Sequence, residues 1–263
     1  MPADSSLYRS ERLAESYARF RPPVHQTVCA RMTERISPNG RLHTALDVGC
    51  GAGASTKALL PYVDRVAGVD PYFGMVKRAA ANVPAASFAQ GRFEALPFAN
   101  GSFQLVATAG AINYADVKLA LAETSRVLQP GGWFAAYDFS AARRLSVGSE
   151  LPSLHLAFRA HYPSAPGYAL DLASLPYAEH GLKLLISERF EVCVSMSANE
   201  YVQYILGESG VEIAIGRGAS EDEIAEHCHL QFSPVFGGQR KDVVFEAELV
   251  LAVSLSAGKI GKK

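Results

Sequence analysis

The sequence has little that would specify a disulfide-linked, metal-stapled or strongly charged protein. Its 263 residues include four cysteines and one tryptophan, and the formal net charge is −1. The cysteines, Cys29, Cys50, Cys193 and Cys228, have no paired spacing, which argues against a disulfide framework or a zinc ribbon. A nearly neutral chain has no broad attraction for nucleic acid or anionic lipid. These absences favour a small organic molecule as the binding partner.

Long apolar runs are also absent. No stretch reaches the roughly 18 consecutive apolar residues of a membrane helix, and the polar residues 1–10 lack the apolar core of a secretory signal. We therefore expect a cytoplasmic protein that has no membrane partner. The local cluster His227-Cys228-His229 has no further ligands at metal-site spacing, so no metal is predicted. The oligomeric state is not specified by these features.

The chain does contain a regular alternation of strand-like and helix-like segments. Hydrophobic residues make up 49% of the sequence, enough for a substantial core. Between residues 44 and 139 short apolar runs alternate with amphipathic helical patterns, which predicts a doubly wound, mostly parallel α/β sheet. We expect seven strands, the last of them antiparallel over residues 243–253, and a helix over residues 170–186.

The same patterns divide the chain into three parts. Residues 1–40 are predicted to form an N-terminal helical cap, and residues 41–140 the cofactor-binding core. Residues 141–263 are predicted to supply a helical lid, elements for the substrate, and the final strands of the same sheet.

Residues 46–56 combine a buried strand pattern with a turn rich in glycine. Glycines allow positive φ angles and let a ligand approach the bare backbone. Either Ser55 or Thr56 is placed to cap the helix that follows. This combination predicts a pocket for a nucleotide cofactor.

Two cofactors fit the turn. Gly49-x-Gly51-x-x-Ala54, with Asp70 further along, satisfies the dinucleotide pattern of nicotinamide enzymes. Asp47 stands two residues before the first glycine, where it would repel a pyrophosphate and attract a cofactor that carries an ammonium and a sulfonium. The acidic residue before the glycine turn therefore favours S-adenosyl-L-methionine as the cofactor.

The turn resembles motif I of the class I S-adenosylmethionine-dependent methyltransferases. Further motifs of this family follow in order, and they are Val66–Asp70, Gly91–Phe98 with Gly101–Phe103, and Val127–Gly132. The segment Tyr17–Pro22 is similar to the amino-terminal segment of small-molecule members such as the trans-aconitate methyltransferase-like group. The resemblance covers residues 42–139 and implies a Rossmann-like fold with S-adenosyl-L-methionine as the cofactor.

The resemblance also implies which residues bind that cofactor. Asp70 would hold the ribose, unless it caps the next helix, and Asp47 would face the methionine end, unless it tethers the loop. Where the family often has an acid for the adenine amino group, this chain has Arg92, so the backbone at Phe93 is expected to contribute. The implied set is Tyr17, Arg21, Asp47, Gly49, Gly51, Asp70, Pro71, Met75, Arg92, Phe93 and Ala109.

The catalytic residue is harder to predict, because a sulfonium methyl group is already electrophilic. Positioning alone can supply roughly 7–11 kcal/mol of barrier reduction, so a base is optional. The acceptor should lie beyond the carboxyl ends of the strands, near residues 109–114 and Asp138. Asn113 and Tyr114 stand where related enzymes often carry His and Trp, so an imidazole is missing there.

Three catalytic candidates follow, namely Asp138, Tyr114 and His155. The second half offers further candidate substrate contacts, which are His161, Tyr162, Tyr168, Glu179, His180, Tyr201 and Tyr204. The predicted function is methyl transfer from S-adenosyl-L-methionine to a small organic acceptor by in-line displacement. Two alternatives remain open at this point. One is an S-adenosylmethionine-binding protein that transfers no methyl group, either a regulatory module or a cofactor-assisted cyclase, and the other is an NAD-dependent oxidoreductase.

Overall fold

The computed structural model describes residues 10–38, 40–140, 144–148, 150–163 and 170–255, without the side chains of residues 11, 17 and 18. Two helices open this part of the chain, α1 (Glu11–Phe20) and α2 (Val24–Ile36). The two prolines between them end α1, because proline offers no backbone N–H and restricts the preceding residue. Both helices lie between residues 10 and 40.

Five parallel strands and three helices follow. They are β1 (Leu42–Val48), α3 (Ala54–Leu59), β2 (Val63–Asp70), α4 (Phe73–Asn82), β3 (Ser87–Gln90), β4 (Phe103–Ala109), α5 (Val117–Val127) and β5 (Leu128–Phe139). The strands pair in the order β3-β2-β1-β4-β5, all in parallel. The chain winds outward in both directions from β1 and β4, so a crevice opens between their carboxyl ends.

The second half completes the sheet. Its elements are β6 (Arg144–Leu145), α6 (Leu151–His161), β7 (Leu182–Met196), α7 (Ala198–Leu206), α8 (Ser209–Gly216), α9 (Glu221–Phe236) and β8 (Lys241–Ser254). β8 pairs antiparallel with β5 and β6 along one edge and with β7 along the other. The described sheet therefore has eight strands, one more than expected because of the two-residue β6. As predicted, the last strand runs opposite to the others.

The helix predicted over residues 170–186 is wrong. The structure has two short 3₁₀ turns, Leu172–Ser174 and Tyr177–His180, and then β7. Pro176 disfavours a continuous helix, and Gly181 ends the second turn with a left-handed φ of 69°. From Leu182 onward more and less exposed residues alternate, which is the period of a strand.

The two faces of the sheet carry separate hydrophobic cores. Neighbouring residues of one strand, such as Ala45 and Leu46, belong to different cores because side chains alternate along a strand. Helices α2, α6, α7 and α9 pack on the first face, and α5 packs on the second. Within the described ranges, no helix is both long enough and apolar enough to cross a membrane.

Candidate cofactor and acceptor site

A cavity of about 820 Å³ lies at the crevice. Its walls come from the loop after β1, the carboxyl ends of β2, β4 and β5, the start of α4 and the chain entering α2. Most of the predicted site residues line it, namely Arg21, Gly49, Gly51, Asp70, Pro71, Met75, Arg92, Phe93, Ala109, Tyr114 and Asp138. The side chain of Tyr17 lies outside the described part of the chain. The sequence motifs therefore meet around one space.

The glycine loop shapes one wall of this cavity. Gly49 and Gly51 have φ angles of 74° and 52°. A Cβ atom at Gly49 would lie 2.2 Å from the Cβ of Ala111, so no side chain fits there. A Cβ atom at Gly51 would meet nothing within 4 Å. The loop is therefore held tightly on one side and presents bare backbone to the cavity on the other.

Asp70 ends β2 on the cavity wall and is 6% exposed. Its Oδ2 accepts the N–H of Gly51 at 3.0 Å, and its Oδ1 accepts the N–H of Tyr72 at 2.9 Å. Burial raises the pKa of Asp70 to about 6, against the opposing effect of these two bonds. Each carboxylate oxygen keeps a further lone pair. The side chain can therefore accept hydrogen bonds from ligand hydroxyls.

Asp47 does not lie on the cavity wall, which corrects the prediction that it faces the methionine end. It is fully buried, and its Oδ2 accepts the hydroxyls of Ser55 and Thr56, both at 2.6 Å. Burial raises its pKa to about 6, with the charge of Asp70 contributing. The tether explains why neither hydroxyl caps α3, whose N-cap is Gly53. Asp47 positions the loop, as the alternative interpretation expected.

The wall beside α4 carries an acid that the sequence analysis missed. Arg92 has a side chain that is 73% exposed, and its Nε lies 3.4 Å from Oε2 of Glu94. Glu94 lines the cavity and accepts the N–H of Asp116 at 3.0 Å. Phe93 and Met75 are almost fully buried on the same wall. The signal for Glu94 was its place inside the Gly91–Phe98 motif.

α1 packs against the glycine loop. Ala14 of α1 forms a small buried cluster with Ala52 of the loop and Met75 of α4. Arg12, two residues earlier, binds Glu212 and Glu221 of the second half. These contacts hold α1 over the loop and lead the chain to Arg21 at the cavity.

The end of the cavity beside β5 contains an imidazole, supplied by α2. Nδ1 of His25 lies 2.8 Å from the hydroxyl oxygen of Tyr137, and the ring meets both Tyr137 and Phe139 edge-on. Burial, aided by the charge of Arg21, lowers the pKa of His25 to about 3. The guanidinium of Arg21 lies over the Phe139 ring, 5.6 Å from its centroid. The sequence analysis missed His25, whose only signal was its place just after the Tyr17–Pro22 segment.

Two other candidates share that end of the cavity. Asp138 and Tyr114 both line it, and Oδ1 of Asp138 accepts the N–H of Phe139 at 2.8 Å. The acceptor region expected beyond β4 and β5 is therefore polar, with a cation, a carboxylate, a phenol and an imidazole on its walls.

The second half of the chain contributes no residue to the described cavity wall. His155, a catalytic candidate, is 1% exposed inside α6, and its Nε2 lies 3.7 Å from Oε1 of Glu208. Its burial in the helical core corrects that assignment. The other candidate contacts that also lie off the wall are His161, Tyr162, Glu179, His180, Tyr201 and Tyr204. Tyr168 lies outside the described residues.

Among the residues that line the cavity, Cys50 carries a thiol. Across the described ranges, no group of three or more His, Cys, Asp or Glu side chains is placed to hold a metal ion. All four cysteines are free thiols, and Cys29, Cys50 and Cys228 are buried.

Fold and site together define a class. An open α/β sheet with a glycine loop after β1 and a buried acid at the end of β2 is an architecture that binds adenosine-containing cofactors. Residues 46–136 match the family model described as a methyltransferase domain. Over these residues, about a third of the chain, the sequence is similar to methyltransferase domains.

Individual relatives match part of the chain. An uncharacterized methyltransferase of Synechocystis sp., sll0829, is 39% identical over 106 residues, which are 39% of this chain and 49% of the relative. The malonyl-[acyl-carrier protein] O-methyltransferase of Dechloromonas aromatica is 33% identical over 140 residues, 50% of this chain and 52% of the relative. The chain thus matches about half the length of these curated relatives.

A solved structure extends the likeness in fold beyond this region. The structure of a putative type II methyltransferase from Anaeromyxobacter dehalogenans is similar with a TM-score of 0.68 at 20% identity. The match covers 90% of this chain and 98% of that one. At this identity the match shows a shared fold.

Proposed function

We propose that this protein transfers the methyl group of S-adenosyl-L-methionine to a small organic acceptor by in-line displacement. The observation that carries the proposal is the continuity of one cavity, which runs from Asp70 at the end of β2, past the bare backbone at Gly51 after β1, to the polar end at Asp138 in β5. Cofactor and acceptor can therefore share a single cavity. The family match over residues 46–136 supports the same assignment.

The cofactor fits the wall residues group by group. Asp70, with unused lone pairs on both oxygens, accepts the two ribose hydroxyls. The loop at Gly49 and Gly51 takes the methionine end, and Arg21 pairs with its carboxylate. Pro71, Met75 and Phe93 line the adenine side, where Glu94 supplies the acid that is absent at position 92.

The acceptor occupies the remaining end of the cavity, by Ala109, Tyr114 and Asp138. The bound cofactor supplies an electrophilic methyl group, so the protein acts by aligning the nucleophile behind the methyl carbon and excluding water. Such alignment is worth roughly 7–11 kcal/mol. The proposal includes no nucleic acid or membrane partner, and the four free thiols suit a reducing compartment such as the cytoplasm.

The test measures binding and turnover separately. Calorimetry with S-adenosyl-L-methionine and S-adenosylhomocysteine should show one site per chain, and mass spectrometry should show S-adenosylhomocysteine accumulating with an acceptor from a panel of small phenols, amines and carboxylic acids. Cofactor binding without any product would favour the regulatory or cyclase alternative. Tight binding of NADH, with no response to either sulfur compound, would favour the oxidoreductase.

A further inference from the structure

His25 is held in a fixed orientation on the acceptor side of the cavity. Its Nδ1 lies 2.8 Å from the hydroxyl oxygen of Tyr137, and its ring centroid lies 5.8 Å from that of Tyr137 and 5.3 Å from that of Phe139. Within the described part of the chain, Nδ1 is the ring nitrogen that makes a hydrogen bond. Since His25 also lines the cavity, Nε2 is left for a molecule bound there.

The neighbours of His25 favour a neutral ring whose lone pair is on Nε2. Tyr137 is fully buried and its pKa is raised well above the ordinary value, so its hydroxyl keeps its proton. This hydroxyl also interacts with the buried thiol of Cys29, whose pKa burial raises to about 12. If Tyr137 donates to Cys29 Sγ, its oxygen accepts from His25, which places the imidazole proton on Nδ1.

We propose that His25 accepts the proton that the acceptor loses during methyl transfer, and that the acceptor is a small molecule whose nucleophilic oxygen or nitrogen carries a hydrogen. This inference rests on the proposed function. The nucleophile's lone pair forms the bond to the methyl carbon, the carbon–sulfur bond breaks, and its electron pair stays on sulfur. The O–H or N–H proton moves to Nε2, and water removes it after product release.

The other groups at this end are less suited to the task. Asp138 already accepts a backbone N–H on Oδ1, and the phenol of Tyr114 is itself a hydrogen-bond donor. Arg21 is the charge that lowers the pKa of His25, after burial. When the carboxylate of the cofactor pairs with Arg21, this second cause is offset, while burial, the larger cause, remains.

The first test reads the proton position directly and needs no acceptor. Nitrogen-15 NMR of the histidine-labelled full chain, with and without S-adenosylhomocysteine, is compared with the same spectra of His25→Asn to assign the signal. We expect a neutral ring protonated on Nδ1 at neutral pH, and a mixture of tautomers in Tyr137→Phe. A ring protonated on Nε2, or on both nitrogens, would overturn the proposal. Failure of S-adenosylhomocysteine to bind would instead contradict the proposed function.

The second test uses methyl-labelled S-adenosyl-L-methionine with phenols and primary and secondary amines, against tertiary amines and thioethers. We expect transfer only to acceptors that carry a hydrogen, and a fall in kcat of about 100-fold in His25→Asn, the scale of lost general-base catalysis. The affinity for S-adenosylhomocysteine should stay unchanged in His25→Asn, and kcat should stay unchanged in the control His43→Asn, whose side chain is 76% exposed. Retained kcat in His25→Asn, or methyl transfer to tertiary amines or thioethers alone, would refute the proposal. Cofactor binding without methylation of any acceptor would instead contradict the proposed function.

Discussion

The two halves of this molecule use buried residues for different purposes. Every described residue of the cavity wall falls between Arg21 and Phe139, and this half buries the carboxyl groups of Asp47 and Asp70. The half from residue 144 onward buries aromatic rings such as those of Tyr201 and Phe232. One half holds ionisable groups beside a cavity, and the other fills its interior with rings that touch one another.

The difference has an energetic meaning. The pKa of each buried acid is raised from 3.8 to about 6, so protonation stabilises the folded free protein. This contribution is complete below pH 3.8 and is lost as the pH rises through about 6. At neutral pH the cofactor half therefore carries two acids that burial disfavours, and apolar packing elsewhere offsets their cost.

The largest effect should come from the aromatic half. Phe232 is fully buried against Phe158 and Tyr201. Phe232→Ala should lower the free energy of unfolding by about 3–5 kcal/mol, because it leaves a cavity, with cofactor affinity unchanged in the folded fraction. Urea titration and calorimetry measure the two quantities. Leu230→Ala, on the same helix but 74% exposed, should cost less than about 0.5 kcal/mol. A loss of cofactor affinity in folded Phe232→Ala would show that the second half of the chain also contributes to cofactor binding.

Asp70→Ala should show the opposite pattern. Removing the acceptor of the ribose hydroxyls should weaken S-adenosyl-L-methionine binding by about 1.5–3 kcal/mol, the scale of hydrogen bonds to a charged group. The variant should remain folded at neutral pH, because the buried charge is gone. Asp64→Ala is a matched control on the same strand, with a side chain that is 45% exposed. Equal cofactor affinity in the two variants would contradict the site assignment.

The pH dependence of binding should distinguish a charged from an uncharged sulfur. As the pH rises through about 6, Asp47 and Asp70 ionise, and their negative charge attracts the sulfonium of S-adenosyl-L-methionine but not the thioether of S-adenosylhomocysteine. The ratio of the two affinities should therefore increase from pH 5 to pH 7.5, by a factor of several. Calorimetry at each pH measures it, and Asp70→Asn should flatten the curve. A constant ratio would show that these carboxyls do not influence the sulfur.

The smallest effect should come from Arg92. Its side chain is 73% exposed and pairs with Glu94 across 3.4 Å, and exposed ion pairs contribute about 0–1 kcal/mol. Arg92→Ala should change cofactor affinity very little, whereas Glu94→Gln should weaken it, because Glu94 faces the adenine side. Fluorescence or calorimetric titration of both variants with the cofactor measures which of them binds it more weakly. A larger loss of cofactor affinity in Arg92→Ala than in Glu94→Gln would show that the exposed Arg92, and not Glu94, contacts the adenine.

Local patterns in the sequence were sufficient to predict much of the fold. The alternation between residues 44 and 139 specified β1 to β5 and their helices, because the buried face of each element determines the spacing of its apolar residues in the sequence. The glycine loop and Asp70 were found for a similar reason, since both depend on short-range spacing. The orientation of Asp47 was not readable, because β1 is covered on both faces and its neighbours Leu46 and Val48 are equally buried.

The missed residues depend on contacts between distant segments. His25 reaches the site because α2 packs on the sheet face that carries Tyr137, more than a hundred positions later. The helix predicted over residues 170–186 failed for a related reason, since pairing with β8 determines that Leu182 begins a strand. The strand or helix propensity of one segment carries no information about the distant segment that it packs against, and that contact decides its structure.

The position of β8 has a consequence for the making of the protein. β8 lies between β5 and β7, and it is the last of the described strands to leave the ribosome. Until residue 254 has emerged, β5 lacks its outer neighbour and β7 has no strand with which to pair. Until β8 has been synthesised, the nascent chain therefore exposes two open strand edges, the condition under which chaperones bind and aggregation begins.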